Sequence, residues 1–228
     1  MLSWFLSFDC ATKSFAWSLL RVDLDSTLDG RTLAAAKTAA DVTAAADALL
    51  RSARQRFVFQ AGSAVDLAPG IPDKNVGLVD RIRRMKRYVD AVVIPAVRGA
   101  AGCPAPGSGH LRVLIEYQMG QNANSNRIAD ALVLMFVDDD VALIRPALKN
   151  KLSFGTPETT LGTYRARYAS RWSANKMHSL ACFHHLSEAF GWADRLPVLK
   201  KALNTDLADT VTQVAGLFAF GDPKKEFF

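Results

Sequence analysis

The stretch LSWFLSFD (residues 2–9), the turn CATKS and the run FAWSLLRV (residues 15–22) decide the fold. The first run is apolar almost throughout and ends in a carboxylate. A membrane span needs roughly 20 apolar residues, so this run is too short to be one. It has the length and composition of a buried strand. The polar turn Thr12-Lys13-Ser14 returns the chain into Phe15–Val22, which reads as the hairpin partner. Met1 leads straight into the strand, with no basic region and no cleavage site, so no targeting segment is expected.

Working outward, Phe57–Leu67 predicts a third strand, and APGIP (residues 68–72) breaks the chain. Between the hairpin and that strand, an Ala-rich stretch at about 26–56 reads as a helical insertion. From Val76 to Val97, the residues Leu78, Ile82, Met85, Val89 and Val92 repeat at helical spacing and predict one apolar stripe. Arg81, Arg83, Arg84, Lys86 and Arg87 fall off it. Such a run is either a solvated helix face or, through Arg83 and Arg87 one turn apart, a DNA-facing one. Gly99–Gly109 is a loop and Leu111–Tyr117 a strand. Asn122–Val137 is a helix with Ile128, Leu132 and Met135 inward. Asp138-Asp139-Asp140 is a turn and Val141–Leu148 a strand. Lys149–Asn175, basic and polar, reads as a long loop. Lys176–Phe190 and Asp206–Phe218 close the chain as helices. This order predicts a mixed α/β fold in one domain over residues 1–228.

Composition sets bounds on function. The 228 residues carry a formal charge of +6 and a pI near 9.4, which suits a polyanionic partner. Cys10, Cys103 and Cys182 are odd in number and widely spaced, which excludes a disulfide framework and points to a reducing, intracellular compartment. His110, His178, His184 and His185 show no metal-ligand spacing.

The chemistry lies in four acids. Asp9 and Glu116 each close an apolar strand, and Asp206 and Asp209 stand three apart on a late amphipathic helix. Leu207, Val211, Val214 and Phe218 on that helix are expected to face the core. Each acid also has a dull reading. Asp9 suits a turn, and Thr205 or Asp206 suits a helix cap. Glu116 inside VLIEYQ is harder to dismiss, because a buried carboxylate without a partner is costly. An acid at a strand end, a second at another strand end and an acid pair on a late helix is the order in which RNase H-like nucleases assemble a metal site. The expected fold is therefore α/β and RNase H-like, a mixed five-stranded sheet flanked by helices. Phosphodiester hydrolysis is served by two divalent ions about 4 Å apart, and Mg²⁺ requires oxygen ligands.

Four segments carry a family resemblance. SFDCATKSFAWSLL (residues 7–20) resembles the opening of RuvC-type Holliday junction resolvases, particularly their poxvirus and mitochondrial branches, and the resemblance as a whole is closest to the poxvirus and large DNA virus branch. IEYQMGQNANSNRIADAL (residues 115–132) is similar to their second motif, a strand-borne Glu before an Asn/Ser-rich helix start. ALKNKLSFG (residues 147–155) resembles the basic end of their fifth strand. LKKALNTDLADTVTQ (residues 199–213) resembles their closing Asp-x-x-Asp motif with a later Gln. Cys10 and Ala11 depart from the family's usual Ile or Pro and Gly. The resemblance implies Asp9, Glu116, Asp206 and Asp209 as catalytic Mg²⁺ ligands, with two ions per site and Mn²⁺ able to substitute. It implies Lys13, Asn122, Asn124, Asn126, Arg127, Lys149 and Lys151 as contacts to the DNA backbone.

The activity so implied is a structure-specific endonuclease that resolves four-way junctions by paired nicks, as a homodimer. Neither a membrane nor a small-molecule substrate is expected. The host cytoplasm or a viral replication site is the expected location should the chain be viral. Other readings stay open. One is another nuclease of this fold, acting on RNA–DNA hybrids or as a transposase. Another is a non-catalytic DNA-binding protein. The third, an actin-like or sugar-kinase-like ATPase suggested by Asp9-x-x-Thr12, requires about twice the length of a single domain.

Overall fold

The computed structural model describes residues 2–11, 14–23, 57–72, 75–118, 123–154, 156–199 and 201–220. The whole of the expected insertion at about 26–56 lies outside these residues, as do Lys13 and Asn122.

Strands β1 (Leu2–Cys10), β2 (Ser14–Asp23), β3 (Phe57–Asp66), β4 (Arg112–Glu116) and β5 (Asp140–Ile144) form one sheet in the order β3-β2-β1-β4-β5. β2 pairs antiparallel with both β1 and β3, while β4 runs parallel to β1 and β5 parallel to β4. Together with the helices on both faces, this is the expected mixed five-stranded sheet flanked by helices. β1 is central, so it is buried on both faces and reads as a continuous apolar run. Its alternation sorts the side chains. Trp4, Leu6 and Phe8 enter one core and Phe5 enters the other, with Ser7 and Asp9 in phase with Phe5.

The first core is covered by α1 (Leu78–Tyr88), a π turn (Val89–Val93), α2 (Ile94–Gly99) and α3 (Ala123–Met135). The π turn revises the expected stripe. Met85, Val89, Val93 and Val97 are all fully buried, whereas Val92 is 38% exposed. Four-residue spacing drifts around an ideal helix, because 3.6 residues complete a turn. The wider π turn takes up that drift and keeps one row inward. Arg81 is likewise buried, its Nε donating to the carbonyl of Val76 at 3.0 Å. In α3, Ile128 and Leu132 face inward as expected. Phe136 takes the place expected of Met135, which is only partly buried.

The second core lies under α5 (Arg171–Phe190) and α6 (Lys201–Phe220). α6 packs on β1, β2 and β3 and against α5, and every residue from Asp206 to Leu217 is buried. Its polar members bond locally. Thr210 and Thr212 donate to the carbonyls of Leu207 and Ala208, both at 2.8 Å, which lets hydroxyls sit in a helix buried nearly all round. Ser7 Oγ donates across to Gln213 Oε1 at 3.3 Å.

Two expectations fail between these layers. β5 ends at Ile144, not Leu148, and residues 149–175 are not one loop. They contain 3₁₀ turns at Lys149–Lys151 and Pro157–Thr159, the helix α4 (Leu161–Arg167) and the start of α5. Ser170 caps α5 by accepting from the Ser173 N–H at 3.4 Å. Buried His178 anchors the segment. Its Nε2 lies 2.9 Å from the Leu152 carbonyl and 3.0 Å from the Thr159 carbonyl, so that nitrogen carries the proton. The sequence hides this because few of these residues are apolar, and tertiary contacts substitute for periodicity.

Gly216 sets how closely α6 approaches this segment. A Cβ there would lie 2.9 Å from both Leu148 C and Lys149 N, closer than packed atoms tolerate. Gly216→Ala is expected to cost about 1–3 kcal/mol, as overpacking does. A denaturant melt checks this, and an unchanged midpoint would show that the backbone at 148–149 yields freely.

Candidate active site

Because β1 and β4 are parallel neighbours, their C-terminal ends meet at one edge of the sheet. One residue beyond the last paired rung, Phe8–Ile115, Asp9 and Glu116 stand side by side on the α6 face. α6 brings Asp206 and Asp209, three residues apart on one helix face. They lie in its second and third turns, not at its N-terminus, so the capping reading of Asp206 fails. All four acids are buried: Asp9 and Asp209 are 2% exposed, Glu116 5% and Asp206 9%.

Two lysines are interleaved with them. Lys149 Nζ lies 2.5 Å from Glu116 Oε2 and 3.1 Å from Asp209 Oδ1. Expected as a DNA-backbone contact, Lys149 is instead buried among the acids. Lys176 Nζ lies 3.2 Å from Asp9 Oδ2 and 2.7 Å from Asp206 Oδ1, and also bonds Asp209 Oδ2. Nothing in the sequence singles out Lys176. It is one of several cations in a basic, polar stretch, and only the docking of α5 on α6 carries it to Asp9, 167 residues away. The Ser179–Thr212 hydroxyl contact at 2.7 Å helps fix that docking.

The electrostatics follow from burial and from these contacts. Burial pushes the Glu116 carboxyl up to about 7, with Asp9 and Asp209 adding to the rise and Lys149 opposing it. Burial likewise raises Asp9, against the pull of Lys176 and Lys149. Asp209 is the exception. Burial works against its charge, but it faces both ammonium groups and ends below its ordinary value. Both lysines are held protonated, since their carboxylate partners outweigh burial.

A stability prediction arises here. Glu116 holds its proton more tightly folded than unfolded, so this contribution is fully present below about pH 4.5. It is lost as pH rises through about 7. In chelator, the protein is expected to lose on the order of 3 kcal/mol across that window, and Glu116→Gln should flatten the loss. Parallel melting curves against pH for the two proteins would refute this cause.

Ligand oxygens from Asp9, Asp206 and Asp209 all lie within 4.8 Å of one another, a group that could hold a metal ion. Glu116 stands beside this triad, joined to Asp209 through Lys149. The donors fit a hard divalent cation, being carboxylate oxygens from two rigid elements. The Lys176 ammonium among the same oxygens shows that the space accepts positive charge. Fully ionised, the four carboxylates outnumber the two ammonium groups, which leaves a deficit that a divalent ion would fill.

The remaining expected residues are scattered. Arg83 and Arg87 lie on α1, in the layer on the opposite face of the sheet, and Arg83 is 3.6 Å from Asp80. Asn124 and Arg127 are exposed at the start of α3. The Asn126 amide is engaged by the backbone of Gln118, accepting from its N–H at 3.1 Å and donating to its carbonyl at 2.7 Å. Lys151 is exposed beside Lys149. Among the described residues, no helix is long and apolar enough to cross a membrane.

No protein-family model matches the sequence, and no curated protein does. Two solved structures of RuvC from Thermus thermophilus are similar to the chain. One, described as the Thermus thermophilus RuvC structure, is 15% identical with a TM-score of 0.45, over 95% of each chain. The other, T. thermophilus RuvC in complex with Holliday junction substrate, is 12% identical with a TM-score of 0.46, over 95% of this chain and 92% of that one. The poxvirus branch expected from the sequence has no counterpart in these two structures.

Proposed function

We propose that this protein is a divalent-metal-dependent endonuclease of branched DNA, with Asp9, Glu116, Asp206 and Asp209 as its catalytic carboxylates. The observation that carries the reading is the convergence of Asp9, Asp206 and Asp209 within 4.8 Å, around a lysine ammonium, at one sheet edge. Asp9, Asp206 and Asp209 would hold Mg²⁺ or Mn²⁺, with Glu116 contributing beside them to a second ion. Bound there, such ions supply a nucleophilic water and neutralise the leaving oxygen. The chain's own part is to hold the carboxylates immobile and to offset the cost of ionising them. Lys149 and Lys176 do both, and Lys176 can turn an N–H toward the non-bridging oxygens of a phosphate. Paired cutting of a four-way junction would be supplied by a two-fold dimer with two identical sites.

The test is incubation of a labelled four-way junction with Mg²⁺, Mn²⁺ or chelator, with linear duplex and RNA–DNA hybrid as controls. Paired nicks in the junction, absent in chelator, are expected. Preferential cutting of the hybrid would favour another nuclease of this fold. Undiminished cutting in chelator would overturn the metal role. Binding without cutting in any metal would leave a DNA-binding protein.

The basic helix α1 faces away from the acids, so it can reach only another part of the same DNA. Replacing Arg83 and Arg87 by Ala should lower the salt slope of junction binding by about 1–2, at roughly 0.9 per phosphate contact. The cleavage rate of bound junction should not change. An unchanged slope would make this helix a solvated face.

A further inference from the structure

We propose that the cleft beside the acids is a stacking site for an unpaired nucleobase flanking the cleaved phosphate, with Trp172 as its platform. The inference rests on the nuclease reading and names what that site holds next to the phosphate. Of the chain's four tryptophans, Trp4, Trp17 and Trp192 are each 3% exposed or less, whereas Trp172 is 69% exposed. It lines a cleft of about 1180 Å³ whose walls include Tyr168, Met177, Pro69 and Leu199, and whose lining also includes Lys176 and Asp206. Trp172 and Lys176 are four apart on α5, hence on one helix face. The indole therefore stands one turn from the ammonium that bonds three of the acids.

The occupant follows from the chemistry of the walls. A purely apolar ligand would account for the cleft but not for its surroundings. Residues 164–176 (YRARYASRWSANK) carry Arg165, Arg167, Arg171 and Lys176 and no acid. Those arginines are exposed. None of the three lines the cleft itself, where Lys176 is the cation and Asp66 and Asp206 the acids. They stand in the same segment as Trp172 and Tyr168, and aromatic surface with cations close by is how single-stranded nucleic acid is held, bases on π faces and phosphates on cations. At a branch point, bases at the crossover can leave the stack, whereas in continuous duplex they cannot without cost. The volume exceeds the usual few hundred to about 1,000 Å³ of small-ligand pockets, room for a nucleotide and its neighbour.

Trp172 also reports on itself, because it is the exposed tryptophan and the other three are buried. In chelator, adding a four-way junction should quench the tryptophan emission and shield it from iodide, while a linear duplex should do neither. Trp172→Ala should weaken junction binding about ten-fold, within the range of one base–aromatic stack, and Trp172→Phe should restore most of it. Far-UV circular dichroism checks that both variants fold, as an exposed position allows. If Trp172→Ala binds and cuts the junction like wild type and emission never changes, this inference is overturned and the nuclease reading stands. If the wild-type protein neither binds nor cuts any DNA, both fall. If emission is already shielded without DNA and Trp172→Ala lowers the oligomeric mass, a second copy fills the cleft and the base does not.

Discussion

Asp209→Asn is expected to abolish junction cleavage while leaving junction binding within a few-fold of wild type. Asp209 meets both lysines and belongs to the triad that could hold a metal ion. On the proposed reading, removing its charge takes away one metal ligand and one counter-charge from each ammonium. Metal ions supply several kcal/mol of transition-state stabilisation, so the single-turnover rate should fall on the order of 10³-fold. Binding should persist, since most protein–DNA contacts fall on the phosphate backbone and do not depend on a carboxylate. The same change should also lower stability. Breaking a buried ion pair costs about 3–5 kcal/mol when nothing else compensates. Here Lys149 keeps Glu116, and Lys176 keeps Asp9 and Asp206. A cost nearer 2–3 kcal/mol is therefore expected, or a Tm lower by about 5–10 °C. A variant that cuts at more than a tenth of the wild-type rate would remove Asp209 from the site. One that loses cutting and binding together would point to a folding defect.

Lys176→Met should make the protein's stability depend on divalent metal far more strongly than wild type. Lys176 is 16% exposed and bonds three carboxylates that otherwise face one another. Without the ammonium and without metal, those acids repel, and some must take up protons. In chelator the variant should melt about 6–20 °C below wild type, the range expected for a broken buried ion network in a chain of this size. Mg²⁺ should return most of that loss, because an ion that binds only the folded state stabilises it by mass action. In wild type the same ion meets a site whose oxygens are already engaged by Lys176, so its stabilising effect should be smaller. Melting both proteins across a Mg²⁺ titration distinguishes the cases. Equal metal-induced shifts would place the ion away from Lys176. No shift in either would remove the metal from this site.

What the sequence determined by itself is local. The apolar run of residues 2–9 marks a strand buried on both faces, and its alternation already places Asp9 on the side of Phe5. Glu116 ends a second apolar strand, and Leu207, Val211 and Val214 turn one face of α6 into the core, leaving Asp206 and Asp209 together on another. These features are legible because strand and helix periods fix side-chain direction within a few residues. Three further features were decided only by tertiary structure. The π turn shifts burial from Val92 to Val93, which depends on what α1 packs against. Residues 149–175 fold through His178 and the cap at Ser170, where no apolar period exists to read. Lys149 and Lys176 join the acids because Gly216 admits the 148–149 backbone against α6 and because α5 docks along it. A lysine's destination is set by contacts many residues distant, and a long polar side chain leaves no periodic trace of where it will end. The acids were therefore visible in the sequence, while the cations that hold them became visible only once the helices had packed.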